Sequence, residues 1–410
     1  MRNAIVLGAG MVGISTALHL QKQGWSVALI DRKGQGLETS FGNAGIIQGE
    51  AVRPYPMPRD IATLLSIVRG TNNAVHYDAL TLPRHANALL RYWWHSAPKR
   101  HRVISNAYAS IIKAATTEHE NLIVEAASQH LVRRVGYRAL YRSAQAMDLA
   151  VAAAERLHAE YDVAYRALTP AALGEAEPAL MQTGAGAVHW LDSWSVSDPG
   201  GLVGAYGSLF ARLGGTFAIG DAATTRPLSG GGWRIATDAG PLEAEHLVVA
   251  LGPWSPEFMR RFGYRVTMVR KRGYHRHYRT TRTLNVPLRD DAFSYAMAPM
   301  TAGLRITSGA DMSDGHESGD PIQLRRAVDA ARQLLDLGAP EENRPWEGTR
   351  PCMPDMLPVV GAVAKHKGLW TNFGHGHQGF TLGPATARML AELMSGEKLF
   401  IDNAPFRLDR

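Results

Sequence analysis

A single cysteine, Cys352, stands in 410 residues. That excludes an intrachain disulfide and any multi-cysteine zinc or iron–sulfur site, and it fits a reducing compartment. Long apolar runs are missing as well, none reaching the roughly 18 residues of a membrane span. The opening MRNAIVLGAG lacks the charged region and longer apolar stretch of a secretory leader. The expectation is a cytoplasmic chain. RYWWHSAPKR, residues 91–100, mixes aromatics and cations as interfacial segments do, which leaves open a peripheral contact with the inner face of the cell membrane. No sign of charge dominates: 44 basic against 37 acidic residues give a formal +7. Small basic clusters at Lys99-Arg100-His101-Arg102, Arg133-Arg134 and Arg270-Lys271-Arg272 read chiefly as solvated face. The excess favours anionic partners, and no zinc-finger, RNA-recognition or helix-turn-helix signature accompanies it.

What is present can build a sizeable core, since 45% of the residues are hydrophobic. The length suits two or three domains, or one large α/β domain with insertions. The N-terminus carries the most information. Asn3 to Leu7 reads as a short apolar strand, Gly8-Ala9-Gly10-Met11-Val12-Gly13 as a G-x-G-x-x-G turn, and Ile14 to Gln23 as a helix. Ser26 to Ile30 makes a second strand that ends at Asp31. In such a unit Gly8 permits the tight turn, Gly10 lets backbone approach a pyrophosphate, and Gly13 lets helix pack closely on strand. Amides at the helix N-terminus meet the anion, and Asp31 lies about 20 residues on, where an acid binds the ribose hydroxyls. A dinucleotide site follows.

Two further stretches extend the pattern. Glu38-Thr39-Ser40-Phe41-Gly42-Asn43-Ala44-Gly45-Ile46-Ile47 interrupts the βαβ run expected for NAD and can line a cofactor reaching past its pyrophosphate. A second reading makes Thr39 or Ser40 the N-cap of a helix, and the two are compatible. NFGHGHQGFTLGP, residues 372–384, sets His375 and His377 among glycines ahead of a helical run. Two imidazoles are too few for a zinc site, so the glycines, which allow close approach to a flat ligand, matter more.

With LVVALGPWS from Leu247 and GTRPCMPDMLPVVG from Gly348, these stretches resemble the flavoenzymes of the D-amino-acid oxidase and dehydrogenase group over nearly the whole chain. The style is nearest to bacterial D-amino-acid dehydrogenases, including those acting on D-hydroxyproline. The resemblance implies FAD and an α/β fold. Its parts would be a Rossmann-type, glutathione-reductase-like FAD domain (1–85, 145–255 and 346–410) and a discontinuous α+β substrate domain on an antiparallel sheet (86–144 and 256–345). It implies that Gly8, Ala9, Gly10, Met11, Val12, Gly13, Asp31 and Arg32 contact adenosine and pyrophosphate. Thr39, Ser40, Asn43, Ala44, Gly45 and Ile46 would run beside the flavin, Ala223 would meet the adenine, and Leu251 and Gly252 would close a nearby strand. Gly376, His377, Gln378, Gly379, Phe380 and Thr381 would lie against the flavin's pyrimidine edge at the start of the last helix.

The same resemblance makes Arg350 the partner of the substrate carboxylate, a task suited to two parallel guanidinium donors. Tyr274 is placed near the pocket, and His377 acts through its backbone carbonyl, which in relatives receives the substrate amine. His275, His277 and Tyr55 are secondary candidates for shaping the pocket. Some relatives tether flavin through a cysteine, but Cys352 stands in an RPxxPD stretch that departs from the tethering pattern. The implied chemistry is hydride transfer from Cα–H of a D-amino acid to flavin N5. It leaves an imine that water hydrolyses, or a cyclic imine from D-proline or a hydroxy-D-proline. Electrons then pass to a quinone, another carrier or oxygen, the last making a glycine- or sarcosine-type oxidase. Alternatives of other classes are a nucleic-acid-binding or RNA-modifying dinucleotide protein and a hydrolase using metal at the C-terminal histidines; the preferred reading has neither metal nor nucleic acid. The first insert reads as helical, with Ala86, Leu89, Leu90, Trp93 and Trp94 on one buried face and a long helix running to about Gln129. The second alternates as a sheet and ends in a helix near Ile322 to Leu337.

Overall fold

The computed structural model describes residues 2–69, 73–77, 82–312 and 321–410. Its N-terminal unit follows the local sequence. Strand β1 (Asn3–Leu7) leads through the glycine turn into α1 (Met11–Lys22), and β2 (Ser26–Asp31) returns parallel to β1. Ile5, Val6, Leu7 and Leu29 are completely enclosed, as a strand covered on both faces requires. The sheet has six strands, in the order 216–219, β2, β1, 246–249, 369–373 and 359–362, parallel except for the last. Its four central strands therefore come from both termini and the middle of the chain.

Between these segments lie two helices, α2 (Leu82–His95) and α3 (Pro98–Glu125). Proline in the first turn starts α3, where its missing N–H costs nothing. The face of α2 differs from the sequence expectation. Ala88 and Tyr92 are buried, whereas Ala86, Leu90, Trp93 and Trp94 are exposed. Hydrophobicity misassigned the face because the two indoles are covered from outside by cations: the Arg59 guanidinium lies 3.7 Å from the Trp93 ring and that of Arg100 3.7 Å from Trp94.

An eleven-stranded sheet forms the second lobe. Its long central strand β3 (Val269–Thr280) pairs antiparallel with β4 (Gly303–Thr307) on one side and with β5 (Trp346–Cys352) on the other. Most pairs are antiparallel, with parallel contacts between 288–290 and 137–141 and between 310–311 and 75–76. Strands 165–168 and 186–190 also belong to this sheet, and so does β5. These strands lie within 145–255 and 346–410, the ranges expected for the cofactor domain, and pair with the sheet of the second lobe. These strands pair across long sequence separations that no local pattern reveals.

The last helix, α4 (Gly379–Ser395), packs along α1 and α3 and contains Pro384. Proline removes the N–H that would bond the Phe380 carbonyl one turn earlier. His119 of α3 replaces it, its Nε2 standing 2.8 Å from Phe380 O while Nδ1 faces the Tyr206 hydroxyl at 3.1 Å. Burial pushes the His119 pKa down to about 4, so the ring is neutral: Nε2–H donates and Nδ1 accepts.

Candidate active site

The two lobes enclose one continuous cavity of about 1110 Å³. It is at or beyond the upper end of ordinary ligand pockets, about 300–1,000 Å³. One end is the glycine turn. Gly8 has φ +103°, and a Cβ there would lie 2.4 Å from Ala250 O; a Cβ on Gly13 would lie 1.7 Å from Gly8 O. The first must therefore be glycine for its conformation, the second for the closeness of helix and strand. Asp31 accepts from the Ala9 amide at 2.7 Å and the Lys33 amide at 3.1 Å; burial raises its pKa while these amides favour the anion. The Arg32 guanidinium lies 4.2 Å from the Trp254 ring, and Ala223 sits on a short 3-10 turn at the same end.

The segment after β2 starts no helix of its own, which corrects the N-cap reading. Ser40 instead accepts the Met11 amide at 2.9 Å and so caps α1 from a distance. Asn43 accepts the amides of Gly45 and Ile46 through Oδ1, and Arg305 of β4 donates to the Phe41 and Asn43 carbonyls. The segment is thereby fastened to the second lobe while Thr39, Ser40, Asn43, Ala44 and Ile46 border the cavity. Gly8, Gly10, Met11, Val12, Asp31, Arg32, Ala223, Leu251, Gly252, Gly376, His377, Gly379 and Phe380 also border it. Ala9, Gly13, Gly45, Gln378 and Thr381 stand behind this wall. The last two bind Gln48: Gln378 Nε2 donates to Gln48 Oε1 at 2.6 Å, and Thr381 Oγ1 accepts the Gln48 amide at 3.1 Å. Gln48 continues to Glu50, a buried carboxylate that also receives the hydroxyls of Tyr137 and Ser193. Burial raises the Glu50 pKa against these donors.

At the opposite end Arg350 enters from β5. Its guanidinium lies over Gly273, where a Cβ would come within 2.5 Å of Nη2. It donates to Gly309 O at 3.1 Å and Ser308 O at 3.3 Å, and no carboxylate among the described residues pairs with it. Burial lowers its pKa. The loop 374–377 is tied to the same strand: the Gly376 amide donates to Pro351 O at 2.8 Å, and Cys352 and His375 form an antiparallel bridge. His377 exposes its side chain to the solvent-accessible cavity while the surrounding protein crowds it. Burial first, then the charges of Arg350 and Lys271, push its pKa down to about 3. Tyr55 lies against it with ring centroids 5.1 Å apart.

The remaining candidates divide. Tyr274 borders the cavity, but its hydroxyl donates to Asp311 at 2.8 Å. His275 stacks on Trp346 at 4.8 Å, and His277 bonds Glu342; both are buried away from the cavity. His375 faces the Thr386 hydroxyl at 2.9 Å, with its pKa lowered by burial to about 3. Among the described residues, no three His, Cys, Asp or Glu side chains gather as metal ligands. Sequence reasoning passed over Lys271, Tyr92, Tyr108, Tyr137 and Arg289, all on the cavity wall. For Lys271 a signal existed: period-two alternation on β3 sends it to the Arg350 side, although its cluster reads as solvated.

The glycine turn, the long cavity and a guanidinium with no carboxylate partner among the described residues share one space, and the residues present fit FAD. The sequence profile of the DAO family, described as FAD-dependent oxidoreductases, matches residues 3–393. The chain is 28% identical to a D-amino acid dehydrogenase of Sinorhizobium medicae over an alignment of 427 positions, covering 99% of each chain. It is 27% identical to one of Chromohalobacter salexigens, covering 99% of this chain and 98% of the other. The fold is that of glycine oxidase from Geobacillus kaustophilus (TM-score 0.73, 20% identity, 100% and 99% covered) and of L-proline dehydrogenase from P. horikoshii (TM-score 0.73, 16% identity, 100% and 98% covered). The chain belongs to the DAO family of FAD-dependent oxidoreductases.

Proposed function

We propose that the protein is a D-amino-acid dehydrogenase that oxidises its substrate at Cα and delivers the electrons to a quinone or similar carrier. The observation that carries this reading is the Arg350 guanidinium, set in the cavity with two carbonyl oxygens as its hydrogen-bond partners among the described residues. A substrate carboxylate supplies the missing anion through two parallel hydrogen bonds. The names of the relatives at 27–28% identity support the choice of a D-amino acid. FAD, when bound, would supply the acceptor of a hydride from the substrate Cα–H; the uncharged amine so oxidised is an iminium, which water hydrolyses.

The chain's own residues orient and desolvate. Arg350 fixes the carboxylate, and the peptide carbonyl of His377, on the loop bolted to β5, receives the amine. The neutral His377 ring adds no charge there. Cations at Arg350 and Lys271 together with a largely enclosed wall disfavour an ammonium, so the amine reaches the reactive position uncharged. The first amides of α4, at Gly379 and Phe380 on the cavity wall, would stabilise negative charge on a bound flavin. No side chain is required as general base.

Exposed Leu90, Trp93 and Trp94, flanked by Arg91, Lys99 and Arg100, support a peripheral contact of α2 with an anionic membrane surface, where a quinone would be met. No helix among the described residues is long and apolar enough to cross a membrane. The test of function is anaerobic. D-amino acids should bleach the yellow protein, and Arg350→Met should lower the efficiency of bleaching about a hundredfold or more while flavin stays bound. Undiminished bleaching in that variant removes Arg350 from its role.

A further inference from the structure

The cavity holds a second cation for which the substrate as described supplies no anion. Lys271 and Arg350 are cross-strand partners in the β3–β5 pair, so both side chains leave the same face of the sheet, from Cα atoms about 5 Å apart. Arg350 runs sideways over Gly273. Lys271 runs toward α2, where its Nζ lies 4.6 Å from the centroid of the Tyr92 ring. Tyr92 keeps its own proton committed, donating to Tyr55 O at 2.5 Å, so toward Lys271 it offers only a ring face and a lone pair. Burial works against the Lys271 ammonium, but the neighbouring Tyr92 and Cys352 hold its pKa above the usual lysine value. It stays charged.

An ammonium has three donors, and no carboxylate among the described residues pairs with this one. Other cations near the cavity are answered: Arg289 pairs with Asp291 and the Tyr55 hydroxyl, Arg270 with Glu257, Arg32 with Glu38. Among the described residues Arg350, Lys271 and Arg261 are the exceptions, and Arg261 stands at the far end of the cavity, beside Ala223, with its donors on Ala222 O and Thr225 O. Two like charges kept unpaired in one enclosed site are costly unless a ligand brings the anions. One amino-acid carboxylate answers Arg350 and leaves Lys271 over.

We propose that the substrate carries a second anionic group, received by Lys271, so that the enzyme prefers acidic amino acids of the four- or five-carbon dicarboxylate class over neutral ones. The inference rests on the amino-acid reading above for the first carboxylate. The placing of Lys271 on the α2 side, beside Arg350 and away from the glycine cradle, assigns it to the substrate and not to the cofactor's phosphates.

Two measurements on the flavin-loaded protein test this. Flavin absorbance is titrated with succinate and malonate against propionate and acetate, none of which can be oxidised at an amine-bearing carbon. Anaerobic bleaching is then compared for D-aspartate and D-glutamate against D-alanine and D-proline. The native protein should favour the dianions by about 10- to 100-fold in both, the worth of one charge-assisted hydrogen bond. Lys271→Met should collapse that ratio, and Lys271→Arg should retain most of it. Equal affinity for mono- and dicarboxylates in the native protein, or an unchanged ratio in Lys271→Met, overturns the proposal. If no amino acid bleaches the flavin, the functional reading falls, and the titration alone still decides the role of Lys271.

Discussion

Replacing His119 by phenylalanine should expose what the ring does for the last helix. Phenylalanine keeps the aromatic volume but removes the Nε2–H that bonds the Phe380 carbonyl, which Pro384 has deprived of its helical partner. That carbonyl lies in the buried contact between α3 and α4. A buried acceptor left without a donor costs about 1–3 kcal/mol. Pro384→Ala restores a helical N–H to the same oxygen, so the histidine bond is no longer its sole donor. In a double-mutant cycle, His119→Phe should therefore cost about 1–3 kcal/mol more in the native background than in the Pro384→Ala background, well above the roughly 0.3–0.5 kcal/mol scatter of independent sites. Loss of the Tyr206 contact is common to both backgrounds and cancels. The assay is urea unfolding of the flavin-loaded protein at fixed free FAD, with equal slopes required across the cycle. Costs that agree within about 0.5 kcal/mol would refute the compensation argument.

Other outcomes follow from the same geometry. Gly13→Ala should yield protein without flavin, because its Cβ would lie 1.7 Å from Gly8 O; a variant purified yellow at full occupancy contradicts the close-packing account. His19, His119, His275 and His375 have folded pKa values lowered by burial to about 3, 4, 2 and 3. A depressed histidine contributes stability that is complete above the unfolded value near 6.5 and is lost as pH falls toward the folded one. Each should remove up to about 1.4 kcal/mol per pH unit below 6.5. Asp31, Glu50 and Glu177, raised by burial, act in the opposite sense over the carboxylate range. Urea midpoints at pH 7, 6 and 5 should fall in that order, and a rise on acidification would refute it. Trp93→Ala with Trp94→Ala should abolish co-sedimentation with anionic vesicles while leaving bleaching in solution intact; equal sedimentation of native and variant protein removes α2 as the contact.

The cofactor end was legible because its parts are consecutive: β1, the glycine turn, α1, β2 and Asp31 announce themselves in 31 residues. Arg350 was singled out through the resemblance carried by the G-x-R-P stretch around it, and the structure puts it on the cavity wall. Lys271 was hidden, since a run of three cations on one strand looks like a basic surface until its partner strand is known. Tyr92 and Tyr108 reach the cavity from helices whose docking angle is a tertiary property. For α2 the hydrophobic stripe misled outright, because arginine stacked on tryptophan makes a solvent face look like a core face. The place of strands 165–168 and 186–190 in the second lobe's sheet was hidden for a similar reason, their partners being settled by pairing far along the chain.

The tie between the Gly376 amide and Pro351 has a further consequence. On the proposed reading, this hydrogen bond couples the strand that carries Arg350 to the loop expected beside the cofactor, and so helps to hold the spacing between donor carbon and acceptor. The covering helix is attached separately. Changes on it, at Tyr92 and its neighbours, can retune which side chain is admitted while the reacting atoms keep their spacing, and diversification of diet in such enzymes is expected to begin there.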